Sequence, residues 1–313
     1  MTALVTVLTI LLPILYLAVW ADYLWLFYTD DPRARRTCSR LAGAVVLLHM
    51  AAMMLRAVGL DRLPMGTQSE FLGALALALL GTYLVIERRL RAKGTGFLTT
   101  GAAAGLMLLA SLAGPGTGEA NRLLHDPGFA GHAVLVLLAY TALALSFLYA
   151  TLYLVLARQL MRRQFGLLFR RLPALETLER MSVVAVEMGV PLLFLARALG
   201  HLWMYSLRGE VDPETAKALT PWDPKILLSW VIFLGYTVGL VGHRFWGWRG
   251  RRMNILAVAA FVAVILGMGL ARHFFPTFHK FPTLETSASA APTDDALAAV
   301  AAAGPATPAG EMR

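Results

Sequence analysis

Charged side chains are scarce. Asp, Glu, Lys and Arg make up 15% of the 313 residues and 58% are hydrophobic, whereas a soluble globular chain is about a quarter charged and about half apolar. Too few polar side chains remain to cover a soluble surface, which leaves a multi-span membrane protein. The long apolar runs lack a period of two, so a transmembrane β-barrel is excluded. Cysteine is nearly absent. Cys38 is the only one, so the chain can form no internal disulfide and no thiolate cluster. In "RARRTCSR" it reads as an incidental small residue of a cytosolic loop. Motifs of soluble catalysis are missing as well. No glycine loop follows a strand, no acids pair at metal-ligand spacing, and no nucleophile elbow occurs. "AGPGTG", residues 113–118, reads as an outside turn.

What the chain has is eight apolar runs, at approximately 2–28, 41–60, 70–86, 96–113, 131–157, 181–206, 226–243 and 253–271. Each is about long enough to cross a hydrocarbon core. The predicted fold is an all-α polytopic membrane protein of about eight transmembrane helices. The first run has no basic residue before it, a long apolar stretch and no small-residue cleavage site after it, so it reads as a span and not as a signal peptide. Lys and Arg concentrate in alternate connections. There are four in "DDPRARRTCSR", four in "ERRLRAK", six in "RQLMRRQFGLLFRRLPALETLER" and four in "HRFWGWRGRR", together 18 of the 28. The positive-inside rule places these loops in the cytoplasm and both termini on the outer face of a bacterial cytoplasmic (inner) membrane. The net charge of +9 is then a topology signal, and it implies no nucleic-acid partner. Residues 1–281 form the transmembrane domain. The Ala/Pro-rich tail, 282–313, is expected to be disordered.

On this topology the seven histidines sort by depth. His125, His132, His201, His273 and His279 fall at the outer face. His49 lies inside the second run, and His243 ends the seventh at the cytoplasmic face. Neutral imidazole is an axial ligand for haem iron, and two on facing elements can hold one haem. Each also reads as an interfacial histidine. The same face carries Trp203, Trp222 and Trp230, whose indoles stack on flat aromatic rings. "PWDPK" opens the seventh run. Trp222 suits a porphyrin edge, Asp223 a helix cap with Pro224 in the first turn, and Lys225 a propionate. An ordinary capped helix start with an interfacial Trp and a snorkelling Lys accounts for the same residues. His49 and Arg56, seven residues apart, share one helix face at a depth where polar groups are costly. They read as a ligand or relay, or as hydrogen-bonding partners of another helix. His49 and His243 are expected in the cytoplasmic halves of their spans, either as a transient inner haem site or as two structural histidines. Glu187 and Arg197 flank Pro191 and read as a structural ion pair.

"WDPKILLSWVIFLGYTVGLVGHR" followed by "GWRGRR" resembles the cytochrome c assembly family, with its CcsA, CcmC and HemX branches. In that family an outer loop ends in W-D-P-K. A span follows with Trp near its start and His near its end, then a "GW-G-R" turn, a last span and an outer histidine. "LPMGTQSEFLGALALALLGTYLVIE", "GHAVLVLLAYTALALSFLYATLYLV" and "RLPALETLERM" resemble the family's upstream segments, so the likeness covers roughly 40–281. It implies that His132 is the first outer haem-ligating histidine and that His279 or His273 is the second. Trp222 and Asp223 would end the haem-facing loop, and His243 would be the inner membrane histidine. It implies haem b as cargo or bound ligand, apocytochrome c as recipient, a second membrane assembly subunit as partner, and a delivery role rather than catalysis. The family's repeated Trp and Gly before W-D are thin here. "HLWMYSLRGEVDPETAKALTPWDPK" keeps Trp203 and Trp222 alone. Such loops resemble the HemX branch, which is associated with control of haem synthesis. A transporter without bound haem is the remaining expectation.

Overall fold

The computed structural model describes residues 2–114, 122–207 and 222–274. Among these residues there is helix and no strand. In chain order the helices are α1 Thr2–Thr29, α2 Pro32–Leu60, α3 Gln68–Leu90, α4 Gly96–Leu112, α5 Pro127–Met161, the short α6 Leu167–Arg171, α7 Leu175–Leu207, α8 Pro224–Phe245 and α9 Arg251–Phe274. Seven of them are long and apolar enough to cross a membrane. The protein is therefore a multi-pass all-α membrane protein. The remaining apolar helix, α4, has 17 residues, which reach about 25 Å, at the short end of the spanning range. Every predicted run lies in one of these eight helices.

Caps decide where the helices begin. The Asp31 carboxylate accepts from the Arg33 N–H at 2.8 Å and Pro32 stands in the first turn, a position where its missing N–H costs nothing. Helix α2 thus starts nine residues before its apolar run. Two expectations change. Cys38 is not in a loop but buried within α2. His49 lies seventeen residues after Pro32, about 26 Å along the axis, so it sits in the half of α2 away from the basic loops and not in the cytoplasmic half. The tail 282–313 lies outside the described residues, as do His279, residues 208–221 and most of the 113–118 turn.

All four basic connections gather at one end of the bundle, called here the basic end. Helices α1–α4 pack together around Tyr16, Tyr23, Leu80, Tyr83 and Ile86. At the basic end Glu87, only 2% exposed, accepts hydrogen bonds from Tyr23 at 2.5 Å and from Ser39, with Lys93 Nζ at 3.9 Å. One carboxylate thereby joins α1, α2 and α3. At the opposite end Arg62 pairs with Glu70 at 2.9 Å, and Glu70 also closes a capping box with Thr67.

Helices α5 and α7 run antiparallel in close contact, through Ala139, Ala142, Ala150, Ala185, Gly189 and Ala196. Small residues let two backbones approach, and at such contacts short polar side chains can bond across. Here Ser146 and Ser182 do so at 2.9 Å. Helices α8 and α9 lean on this pair around Leu143, Leu193, Ile232 and Tyr236.

Candidate functional site

Of the histidines expected at one face, His132 and His201 stand where α5 begins and α7 ends. Asp126 caps α5 by accepting from the Phe129 N–H at 2.9 Å, with Pro127 in the first turn. That start puts His132 in the second turn, facing α7. Gly200 admits it, since a Cβ there would lie 2.7 Å from the His132 ring. The imidazole reaches the α7 backbone, and its Nδ1 lies 2.8 Å from the Ala196 carbonyl oxygen. A carbonyl can only accept, so the proton sits on Nδ1 and the neutral ring keeps its lone pair on Nε2. Metal-ligating histidines are oriented in this way.

His201 repeats the arrangement, with Nδ1 donating to the Arg197 carbonyl at 2.8 Å. Its ring meets Trp230 of α8 edge to face at 6.3 Å. The Arg197 guanidinium lies over the same indole, 3.5 Å from its centre, and donates to Ser229 at 2.5 Å. Arg197 is 6% exposed, and its Nε and Nη2 have no hydrogen-bond acceptor among the described residues. The expected pair with Glu187 is not formed. Ten residues along one helix separate the two by about 15 Å, and Glu187 faces outward.

Trp203 packs on the start of α5, its ring 5.2 Å from Phe129, in the space that Gly128 leaves. Trp222 stands before α8 with 74% of its surface exposed. Asp223 is buried and caps α8, accepting from the Lys225 N–H at 2.8 Å. Pro224 and Lys225 follow in the first turn. His273 is exposed near the end of α9, a helix that packs on α5 and α8, so it shares an end of the bundle with His132. His125 bonds the Asp61 carbonyl at 2.6 Å and ties the turn before α5 to the end of α2.

His49 and His243 are not brought together. Helix α2 packs on α1 and α3, whereas α8 packs on α7 and α9. His49 Nδ1 lies 2.9 Å from the Tyr16 hydroxyl, and Arg56 donates to Thr9 at 3.2 Å, both on α1. Each thus hydrogen-bonds to a neighbouring helix. Both also border a cavity of about 40 Å³ that reaches Ser69 and Glu70. His243, at the basic end, donates from Nδ1 to the Trp248 carbonyl at 2.9 Å. The "GWRG" turn that allows this has positive φ at Gly247 (67°) and Gly250 (64°), a backbone region open to glycine at no steric cost.

No group of three or more His, Cys, Asp or Glu among the described residues could hold a metal ion. A porphyrin changes that requirement. It supplies four nitrogens itself and asks the protein for one or two axial ligands. A ring with a fixed Nε2 lone pair at His132, an indole at Trp230 and an Arg197 guanidinium whose Nε and Nη2 meet no acceptor among the described residues fit such a group.

Comparison with known proteins identifies the family. The family model for cytochrome c assembly proteins matches residues 10–279. The chain belongs to that family. Among its relatives, protein HemX of Brevibacillus brevis is 28% identical over 228 residues, covering 71% of this chain and 80% of the relative. Protein HemX of Bacillus subtilis is 34% identical over 106 residues, covering 34% of this chain and 36% of the relative. The cytochrome c biogenesis protein CcsA of Microcystis aeruginosa is 24% identical over 266 residues, covering 66% and 78%. Two features of this cytochrome c assembly protein differ from the expectation: Gly200 seats His132, and Arg197 turns to Ser229 and Trp230 instead of Glu187. "RALGH" carries the signal, because Arg197 and His201 stand four apart on one helix face with the glycine between them.

Proposed function

We propose that this cytochrome c assembly protein works in c-type cytochrome biogenesis by holding haem b at the outer face of the membrane and presenting it to apocytochrome c. The observation that carries the reading is the His132 ring, fixed through Nδ1 to the Ala196 carbonyl so that Nε2 is left to bind iron. His273 or His279 would give the iron a second imidazole. Trp222 and Trp230 would stack on the porphyrin, and Asp223, which caps α8, would hold the helix start so that Lys225 could meet a propionate. Bound haem supplies the iron porphyrin that c-type cytochromes carry. The chain's own part is to ligate it, orient it and hold it where a second membrane assembly subunit and the apoprotein can reach it.

Orientation follows from charge. The basic end faces the cytoplasm of the bacterial inner membrane, so the His132 end and both termini face outward. Reporter fusions test this. A reporter after Lys93 is expected to be active only inside, and one after Gly116 only outside. An outward reporter at Lys93 would reverse the site and end the proposal.

A second reading has its own support. Residues 204–221 contain no tryptophan, and two of the relatives are named HemX. A HemX-like regulator of haem synthesis would need no outer haem platform. Deleting the gene and staining membrane proteins for covalently bound haem separates the two. Loss of stained c-type cytochromes, restored by the wild-type gene and not by His132→Ala, supports delivery. Unchanged staining with altered haem precursors supports regulation.

A further inference from the structure

Inward from His132, three helices each carry a buried polar group that has no hydrogen-bond partner among the described residues. Arg197 of α7 has two N–H groups, on Nε and Nη2, without acceptors. Tyr140 of α5 lies eight residues after His132, about 12 Å along the same helix face, and its buried hydroxyl also lacks a partner. Tyr236 of α8, seven residues after Ser229, is the same. Tyr140 and Tyr236 belong to one packed cluster with Phe233, whose ring centre lies 5.9 Å from the Arg197 guanidinium, so the three groups surround one contact. Trp230 covers one face of the guanidinium, and Ser229 takes its remaining amino group.

The chemistry of this cluster is one-sided. It presents four donors, two of them on a permanent cation, and no Asp or Glu pairs with Arg197 among the described residues. A buried cation without a counter-ion is costly, and so is each unmade hydrogen bond. The complement is an anion with several lone pairs in one plane. A carboxylate has about four such positions and matches a guanidinium edge.

We propose that Arg197, Tyr140 and Tyr236 form a receiving site for a ligand carboxylate, set deeper between α5, α7 and α8 than His132. The identity of the ligand rests on the proposed function, in which the carboxylate is a porphyrin propionate. The site gives the porphyrin a direction, with one propionate pointing into the bundle and the opposite edge toward the outer loop.

The test uses the full chain in nanodiscs and metal-free protoporphyrin IX, compared with its dimethyl ester, with tryptophan quenching as the readout. The wild-type protein is expected to bind the free acid at least about tenfold more tightly than the ester, the effect of one charge-assisted pair. Arg197→Gln should abolish that preference, and a circular dichroism spectrum and melting curve matching the wild type show that the variant is folded. Tyr140→Phe should reduce the preference, and Arg197→Lys should keep part of it. Equal binding of acid and ester by the wild-type chain, binding of neither, or a preference that survives Arg197→Gln overturns the proposal and assigns these donors to water. Iron judges the haem reading separately. A ferric haem Soret band that depends on His132, together with equal acid and ester binding, leaves the haem site standing and removes the carboxylate site.

Discussion

His132→Ala protein is expected to purify with almost no haem while its helical content and yield match the wild type. The side chain is half-buried at the α5–α7 contact, and its loss removes one hydrogen bond to a backbone oxygen, worth about 1 kcal/mol. Folding tolerates that. Iron binding is expected not to, because on the proposed function the ring is the ligand itself. Changing only a partner of a metal ligand costs roughly 10–100-fold in affinity, and removing the ligand should cost at least as much. Added imidazole should enter the vacated space and restore part of the spectrum. Gly200→Ala is a second expression of the same geometry. Alanine favours the helix by about 0.5–1 kcal/mol, yet its methyl group would stand 2.7 Å from the His132 ring. It should turn the imidazole away from Ala196 and lower haem occupancy about tenfold, while stability stays near the wild type because the helix gain offsets the lost hydrogen bond. Full occupancy in His132→Ala, or normal occupancy in Gly200→Ala, would remove His132 from the site.

Glu87→Ala is expected to have the largest effect on stability. The carboxylate is the shared acceptor for Tyr23 and Ser39 and the counter-charge for Lys93. Its removal leaves buried donors from α1 and α2 unmet at once. Losing one partner of a buried charged network costs about 3–5 kcal/mol. Thermal unfolding in detergent should move down by several degrees or more, and α1–α3 should become sensitive to protease at the basic end. Glu87→Gln keeps an acceptor oxygen in the same place and should recover part of the loss. A melting curve for Glu87→Ala that overlays the wild type would mean that the knot of α1, α2 and α3 is held by apolar packing alone.

The architecture was legible because the bilayer makes hydrophobic length a strong signal. Eight runs of the right size gave eight helices, and alternate basic loops fell at one end. Helix starts were less legible. Asp31 and Pro32 begin α2 nine residues before its apolar run, because a cap needs only one carboxylate and a proline and not hydrophobicity. That shift moved Cys38 from loop to helix and His49 to the other half of its span. Within the site, Asp223 could be read as a cap from "WDPK" alone. The His132–Ala196 contact could not, since it depends on two helices 64 residues apart meeting at a glycine. Arg197 was misread for the opposite reason. Glu187 is near in sequence, but helix geometry sets it about 15 Å away along the axis, and the nearer partners, Ser229 and Trp230, come from a helix beyond the outer loop. His49 and His243 stand on helices that do not pack on one another, because proximity to the membrane interior says nothing about which helices are neighbours.

The most direct measurement is the absorption spectrum of the wild-type protein purified from haem-replete cells, with iron and haem counted per chain. The account predicts a Soret band with the sharp reduced bands of six-coordinate, low-spin bis-histidine haem. It also predicts about one haem per chain at the outer site. A colourless protein that acquires no Soret band on adding ferric haem would contradict it.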